Sequence, residues 1–163
     1  MRVSIFGLGY VGCVTAACLA RDGHTVIGVD INPYKIDQLQ AGRSPVIEPG
    51  LDELIQEGRS SGRLWATHDS HEAVLNSDIS LICVGTPSSE NGRLNLDYVD
   101  KVSAEIGQAL AAEIFGDDIV WIPYVDPGFI LAQTLRSALQ DYQARTGRAL
   151  PKAILMANHG VII

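Results

Sequence analysis

The 163-residue sequence predicts a doubly wound α/β fold built on a six-stranded parallel sheet with strand order 3-2-1-4-5-6. Short apolar runs alternate with stretches of helical periodicity along the whole chain, and glycine or proline marks most of the switches. No internal repeat or low-complexity linker interrupts the alternation. Strands of four or five mostly apolar residues separated by helices belong to a sheet covered on both faces. Right-handed crossovers complete the arrangement. The chain reads as a single domain over residues 1–163.

Each element has its own warrant. Val3-Ser4-Ile5-Phe6 is the first strand, and a helix opens after Gly7 and ends near Gly23. Thr25 to Val29 is the second strand. Pro33 suits the first turn of the next helix, which stops at Gly42. Leu51, Leu54 and Ile55 recur at helical spacing, and Leu64 to Thr67 is the third strand. A short helix at Ser70–Leu75 precedes the fourth strand, Ile79 to Val84. Leu96, Val99, Val102, Ile106 and Leu110 trace a long amphipathic helix. Ile119 to Ile122 is the fifth strand. Ile130, Leu131, Leu135, Leu139 and Tyr142 form another helix, broken by Gly147 and Pro151, before a sixth strand at Ala153–Met156.

Composition narrows the function classes. Apolar residues make up 47% and charged residues 19%, an ordinary globular balance. A net charge of -7, with the 12 basic residues scattered, argues against a nucleic-acid partner. No apolar stretch is long enough for a membrane span, and the N-terminus does not read as a signal peptide. Cys13, Cys18 and Cys83 are odd in number, lack CxxC spacing and sit in apolar surroundings, which predicts reduced thiols and a cytoplasmic location. Val161-Ile162-Ile163 ends without a polar tail, as a chain cut from something longer would. As part of an exposed edge, that apolar end predicts a possible homodimer through an edge strand.

The strongest motif is Gly7-Leu8-Gly9-Tyr10-Val11-Gly12. It follows a strand and opens a helix, as the dinucleotide fingerprint of a Rossmann-type domain does. Gly7 allows the tight turn, Gly9 lets backbone approach a pyrophosphate, and Gly12 lets the helix pack close to the strand. Backbone N–H groups at the positive helix end hold the anion. Asp30, 18 residues beyond Gly12 at the end of the second strand, suits a ribose 2'-hydroxyl and repels the 2'-phosphate of NADP. NAD(H) is therefore the expected cofactor. The plainer alternative, a packing turn and a helix-capping Asp, explains less of the βαβ unit. Thr86 follows the fourth strand at the switch point and reads as a cofactor contact, with a turn cap as its alternative.

FGLGYVG at 6–12, VIGVDIN at 26–32, Lys35-Ile36, SPVIEPGL at 44–51 and SLICVGTP at 80–87 together resemble the N-terminal domain of the nucleotide-sugar dehydrogenases, over residues 1–112. The resemblance implies cofactor roles for Tyr10 and Val11 beside the glycines, for Asp30 and Lys35 at the adenosine ribose, and for Thr86 near the nicotinamide. It places Glu48 at the cofactor–substrate cleft. It also implies oxidation of a sugar C6 alcohol to a carboxylate in two NAD-dependent steps. From residue 113 the pattern departs, and 113–163, with Pro127-Gly128 and Asn158-His159-Gly160, resembles a terminal segment of class II (zinc-dependent) aldolases. Together the two resemblances predict a chimera.

Catalytic chemistry is missing from both resemblances. The dehydrogenases resemble one another in using a cysteine nucleophile in a distal domain, and none of the three cysteines here lies in a matching motif. His159 matches one zinc ligand, but the upstream His-x-His is absent, and His68 and His71 read as exposed or capping residues. No catalytic residue and no metal site is expected, and Asp117-Asp118 reads as a turn. The expectation is an NAD(H)-binding domain without turnover alone. A scaffold with no tight ligand, or a fragment needing a partner catalytic domain, are the alternatives.

Overall fold

The computed structural model of the chain describes residues 1–88, 93–157 and, for backbone alone, 160–162. These fall into two compact units, Met1–Ile106 and Gly107–Ile163.

In the first unit β1 (Arg2–Phe6) is buried from Val3 onward, as befits a central strand covered on both faces. The buried hydroxyl of Ser4 is satisfied by Ser80 Oγ at 2.7 Å and by the Ser77 hydroxyl at 3.0 Å. α1 (Tyr10–Arg21) buries Gly12, Cys13, Ala16, Ala17 and Ala20, small residues that let the helix sit close to its neighbours. β2 (Thr25–Val29) lies parallel to β1, Arg2 against Thr25 through Phe6 against Val29. α2 (Pro33–Gln40) starts where the sequence predicts, with Pro33 in its first turn and Asn32 Oδ1 accepting from the Tyr34 N–H at 3.0 Å.

α3 (Leu51–Ser60) and β3 (Leu64–Thr67) bring the chain to the outer side of β2. Leu39, Leu51, Ile55 and Leu64 join Val3, Ile5 and Leu8 in one core. Burying an aliphatic side chain of this size contributes about 1.5–3 kcal/mol. α4 (Ser70–Leu75) is capped by Asp69, which accepts from the Glu72 N–H at 2.9 Å. β4 (Ile79–Ile82) then returns to the far side of β1, giving the order β3-β2-β1-β4. The fourth strand is two residues shorter than expected, because Cys83 and Val84 already belong to the loop. α5 (Asp97–Phe115) begins in this unit and ends in the other.

The second unit holds β5 (Ile119–Ile122), α6 (Phe129–Thr146), β6 (Ala153–Met156) and β7 (Gly160–Ile162). β5 and β6 are parallel neighbours, as predicted. The helix packs through Leu131, Leu135 and Leu139 onto Val120, Ile122 and Ile154, while Ile130, expected inside, is 59% exposed.

The expected six-strand order is found in part: the ladders give β3-β2-β1-β4 in the first unit and β5-β6-β7 in the second. The apolar end, expected as part of an exposed edge, instead turns back as a seventh strand that pairs antiparallel with β6, Ile154 against Ile162. β6 is therefore covered by β7, and the end of its sheet has moved one strand outward.

Asp118 is also more than a turn residue. It is 9% exposed, and its carboxylate accepts from the Tyr142 hydroxyl and pairs with Arg148 Nη1 at 3.1 Å and Lys152 Nζ at 3.5 Å. Its backbone carbonyl accepts the N–H groups of Lys152 and Ala153. The Tyr142 hydroxyl, then Arg148 and Lys152, hold this carboxyl below the ordinary carboxylate range, burial opposing them. A depressed native pKa gives stability that is present above the ordinary carboxylate range and lost as pH falls through the native value. Asp118→Asn is expected to lower Tm at neutral pH and to flatten the acid limb of a Tm-against-pH curve between pH 7 and 3. An acid limb as steep as the wild type's counts against this account.

Candidate functional site

Between β1 and β4 the strand order reverses, and ligands of doubly wound sheets bind in the crevice at the carboxyl ends of such strands. A cavity of about 330 Å³ lies there. Phe6 at the end of β1 lines it with Gly7 and Gly9 of the following turn, and Asp30 after β2 with Lys35 of α2. His68 and Ser70 enter after β3, Cys83 to Gly85 after β4, and Tyr98, Lys101, Val102 and Glu105 from α5.

The three glycines of the turn are held by different constraints. Gly7 has φ +100°, and a Cβ built on it would lie 2.7 Å from the Cys83 carbonyl oxygen. A Cβ on Gly12 would lie 1.8 Å from the Gly7 carbonyl oxygen, so helix and turn meet there through bare backbone. At Gly9 a Cβ would meet nothing within 4 Å, and its backbone is extended at φ -82°. Gly9 thus faces cavity space.

Asp30 is 8% exposed and organises the turn. Its Oδ2 accepts from the Leu8 N–H at 2.7 Å and from Lys35 Nζ at 2.9 Å, and its Oδ1 from the Asn32 N–H at 2.9 Å. Burial pushes this carboxyl up, but Lys35 and the two backbone N–H groups together outweigh it, so the net displacement is downward and the group stays ionised. His68 Nδ1–H donates to the Asp30 carbonyl at 3.1 Å, which fixes that ring's tautomer because a carbonyl only accepts.

Of the residues singled out in the sequence, Gly7, Gly9, Asp30 and Lys35 share the cavity wall. Gly12 is buried behind it. Tyr10 and Val11 are 56% and 63% exposed, and neither they nor Thr86, also exposed, is among the cavity-lining residues. The Tyr10 hydroxyl donates to Glu48 Oε2 at 2.8 Å, and that hydrogen bond to a carboxylate raises its pKa. His159 and Asn158 lie outside the described residues. Among the described residues no group of three or more His, Cys, Asp or Glu side chains is placed to hold a metal ion.

The reading from sequence missed the α5 wall and the Leu8 N–H. Tyr98, Lys101, Val102 and Glu105 stand at one-turn spacing, so a helical projection shows them as one face beside the apolar stripe. Nothing in side-chain type marks Leu8, because its contribution comes from backbone. All three cysteines are free thiols. Burial pushes Cys13 up to about 11 and raises Cys83 as well, so neither is poised as a thiolate.

Residues 1–122 match the family model described as the UDP-glucose/GDP-mannose dehydrogenase family, NAD binding domain. GDP-mannose 6-dehydrogenase of Pseudomonas aeruginosa is 52% identical over 130 residues, covering 80% of this chain and 30% of that protein. The enzyme of the same name from Pseudomonas syringae pv. syringae is 52% identical over 141 residues, 86% of this chain and 32% of that one. Among solved structures, a ternary complex of GDP-mannose dehydrogenase from P. aeruginosa superposes with a TM-score of 0.68 at 43% identity, over 96% of this chain and 35% of that one. A UDP-glucose dehydrogenase from Pyrobaculum islandicum gives 0.66 at 32% identity, over 95% and 35%.

The chain therefore spans about a third of the length of these relatives. The P. syringae alignment is longer than the 112 residues assigned to the dehydrogenase-like part, and none of these findings supports an aldolase-like origin for 113–163. No helix among the described residues is long and apolar enough to cross a membrane. The glycine turn, the buried aspartate and the switch-point cavity thus agree with the sequence relationships, and the chain belongs to the UDP-glucose/GDP-mannose dehydrogenase family, whose NAD-binding domain it carries.

Proposed function

We propose that NAD(H) lies in the switch-point cavity with its pyrophosphate over the backbone of Gly9 to Gly12, its adenosine ribose on Asp30 and Lys35, and its nicotinamide toward Thr86. The observation that carries this reading is the Asp30 carboxylate, buried, ionised and on the wall of the same cavity as Gly9. Asp30 Oδ1 accepts one backbone N–H and keeps capacity for a ribose hydroxyl. A 2'-phosphate there would face a fixed negative charge, so NAD is favoured over NADP. Gly7 serves the turn and Gly12 the helix contact, while Tyr10 and Val11 form the outer lip. Bound NAD supplies a hydride acceptor; these residues bind and orient it.

Calorimetric titration of NAD into the chain is expected to saturate, and Asp30→Ala to weaken binding at least about tenfold, given ~1.5–3 kcal/mol for a hydrogen bond to a charged group. Thermal melts of the variant separate a lost contact from a lost fold. Unchanged affinity in a folded variant overturns the assignment. A folded wild type that binds nothing favours the scaffold reading.

The chain is proposed to bind the cofactor without turnover. The relatives' names specify GDP-mannose oxidation, and the family resemblance calls for a nucleophilic thiolate. Cys13 and Cys83 are both raised by burial, which leaves no thiolate of that kind at the cavity. With NAD and GDP-mannose supplied, no NADH absorbance above the protein-free rate is expected, and steady NADH production refutes the proposal.

Three free thiols suit a reducing cytoplasm. A homodimer would use the outer edge of β7, where Val161 and Ile162 are β-branched. Light scattering is expected to give twice the chain mass, and a clean monomer removes this part of the reading.

A further inference from the structure

The face of α5 is the part of the cavity that the cofactor assignment leaves unused. Tyr98, Lys101, Val102 and Glu105 stand at i, i+3, i+4 and i+7, and all four line the cavity that Asp30 and Ile31 line from the turn after β2. Ile31 is 79% exposed, an apolar side chain standing open beside a buried carboxylate. Glu105 is half-buried. Its carboxylate has no hydrogen-bond or ion-pair partner among the described residues. Lys101, one turn earlier on the same helix, is the nearest candidate in sequence. A Lys placed N-terminal to Glu at this spacing is the weaker orientation for such a pair.

We propose that Glu105 is the base-recognition residue of the cavity, its carboxylate accepting a hydrogen bond from the 6-amino group of adenine while Ile31 and Val102 take the two faces of the ring. This rests on the placement of the adenosine ribose on Asp30 proposed above. The base is one glycosidic bond from that ribose, so it falls beside Ile31 and toward α5. Its 6-amino group is the donor that separates adenine from hypoxanthine and guanine, which carry an acceptor oxygen there. A carboxylate offers acceptors alone, so placed at the 6-position it accepts from the amino group and repels a 6-oxo group. A half-buried carboxylate without a protein partner is costly to desolvate, and an amino group from the ligand removes that cost. Tyr98, one helical turn before Val102, extends the apolar wall toward the mouth.

The test is calorimetric titration of NAD and of nicotinamide hypoxanthine dinucleotide, which differs by the 6-oxo group, into the wild type, Glu105→Gln and Asp30→Ala. The wild type is expected to prefer NAD by at least about tenfold, the worth of one charge-assisted hydrogen bond. Glu105→Gln, whose amide both donates and accepts, is expected to bring the ratio to about one. Asp30→Ala should weaken both dinucleotides and leave their ratio unchanged. A wild-type ratio near one, or a ratio that survives in Glu105→Gln, overturns the proposal while leaving the NAD site intact. Absence of binding of either dinucleotide to the folded wild type overturns both.

Discussion

The hydrogen bond from the Leu8 N–H to Asp30 Oδ2, buried and 2.7 Å long, holds the first unit's functional end together. It ties the turn after β1 to the end of β2, alongside the Gly7 N–H bonded to the Val29 carbonyl at 2.7 Å. A charged acceptor makes such a bond roughly twice as strong as a neutral one. The same carboxylate that shapes the turn also accepts from Lys35 and from the Asn32 N–H at the cap of α2. Turn, strand end and helix start thus share a single charge. The shape of the glycine turn and the charge at the end of β2 are therefore coupled, and neither can be changed without disturbing the other.

The second unit is organised on a comparable plan with different parts. Asp118 gathers the start of β5, the end of α6 and the start of β6 through Tyr142, Arg148, Lys152 and two backbone N–H groups. Its positive partners are more than half exposed, so each ion pair by itself is worth little. What distinguishes the knot is the buried tyrosine, 2% exposed, whose hydroxyl needs a partner inside the core.

How far the sequence revealed these features follows from what each depends on. The strands and helices of the first unit were legible because local signals agree there: Pro33 in the first turn of α2, Leu51, Leu54 and Ile55 at helical spacing, glycines where φ turns positive. Asp30 was legible from its interval to Gly12. Asp118 was not, since two adjacent acids before a strand look like a solvated turn until Tyr142 arrives from 24 residues away. The strand character of β7 was legible but not its antiparallel return onto β6, and Glu105 was hidden by its company, being a polar residue next to an apolar helical stripe. Thr86 is exposed and outside the cavity wall, so its place after β4 was legible while its part in binding belongs to the proposal.

The unequal constraints on the three glycines bear on how such a turn would drift once its ligand were no longer needed. Gly7 and Gly12 are fixed by backbone a few ångströms away, so selection for folding alone would preserve both. Gly9 has no such protection: its φ suits any residue and the space beside it is open. In a lineage that kept the fold and abandoned the dinucleotide, the middle glycine would be the first to be replaced. Its presence here is accordingly the part of the motif that speaks for occupancy, and the outer two speak for architecture.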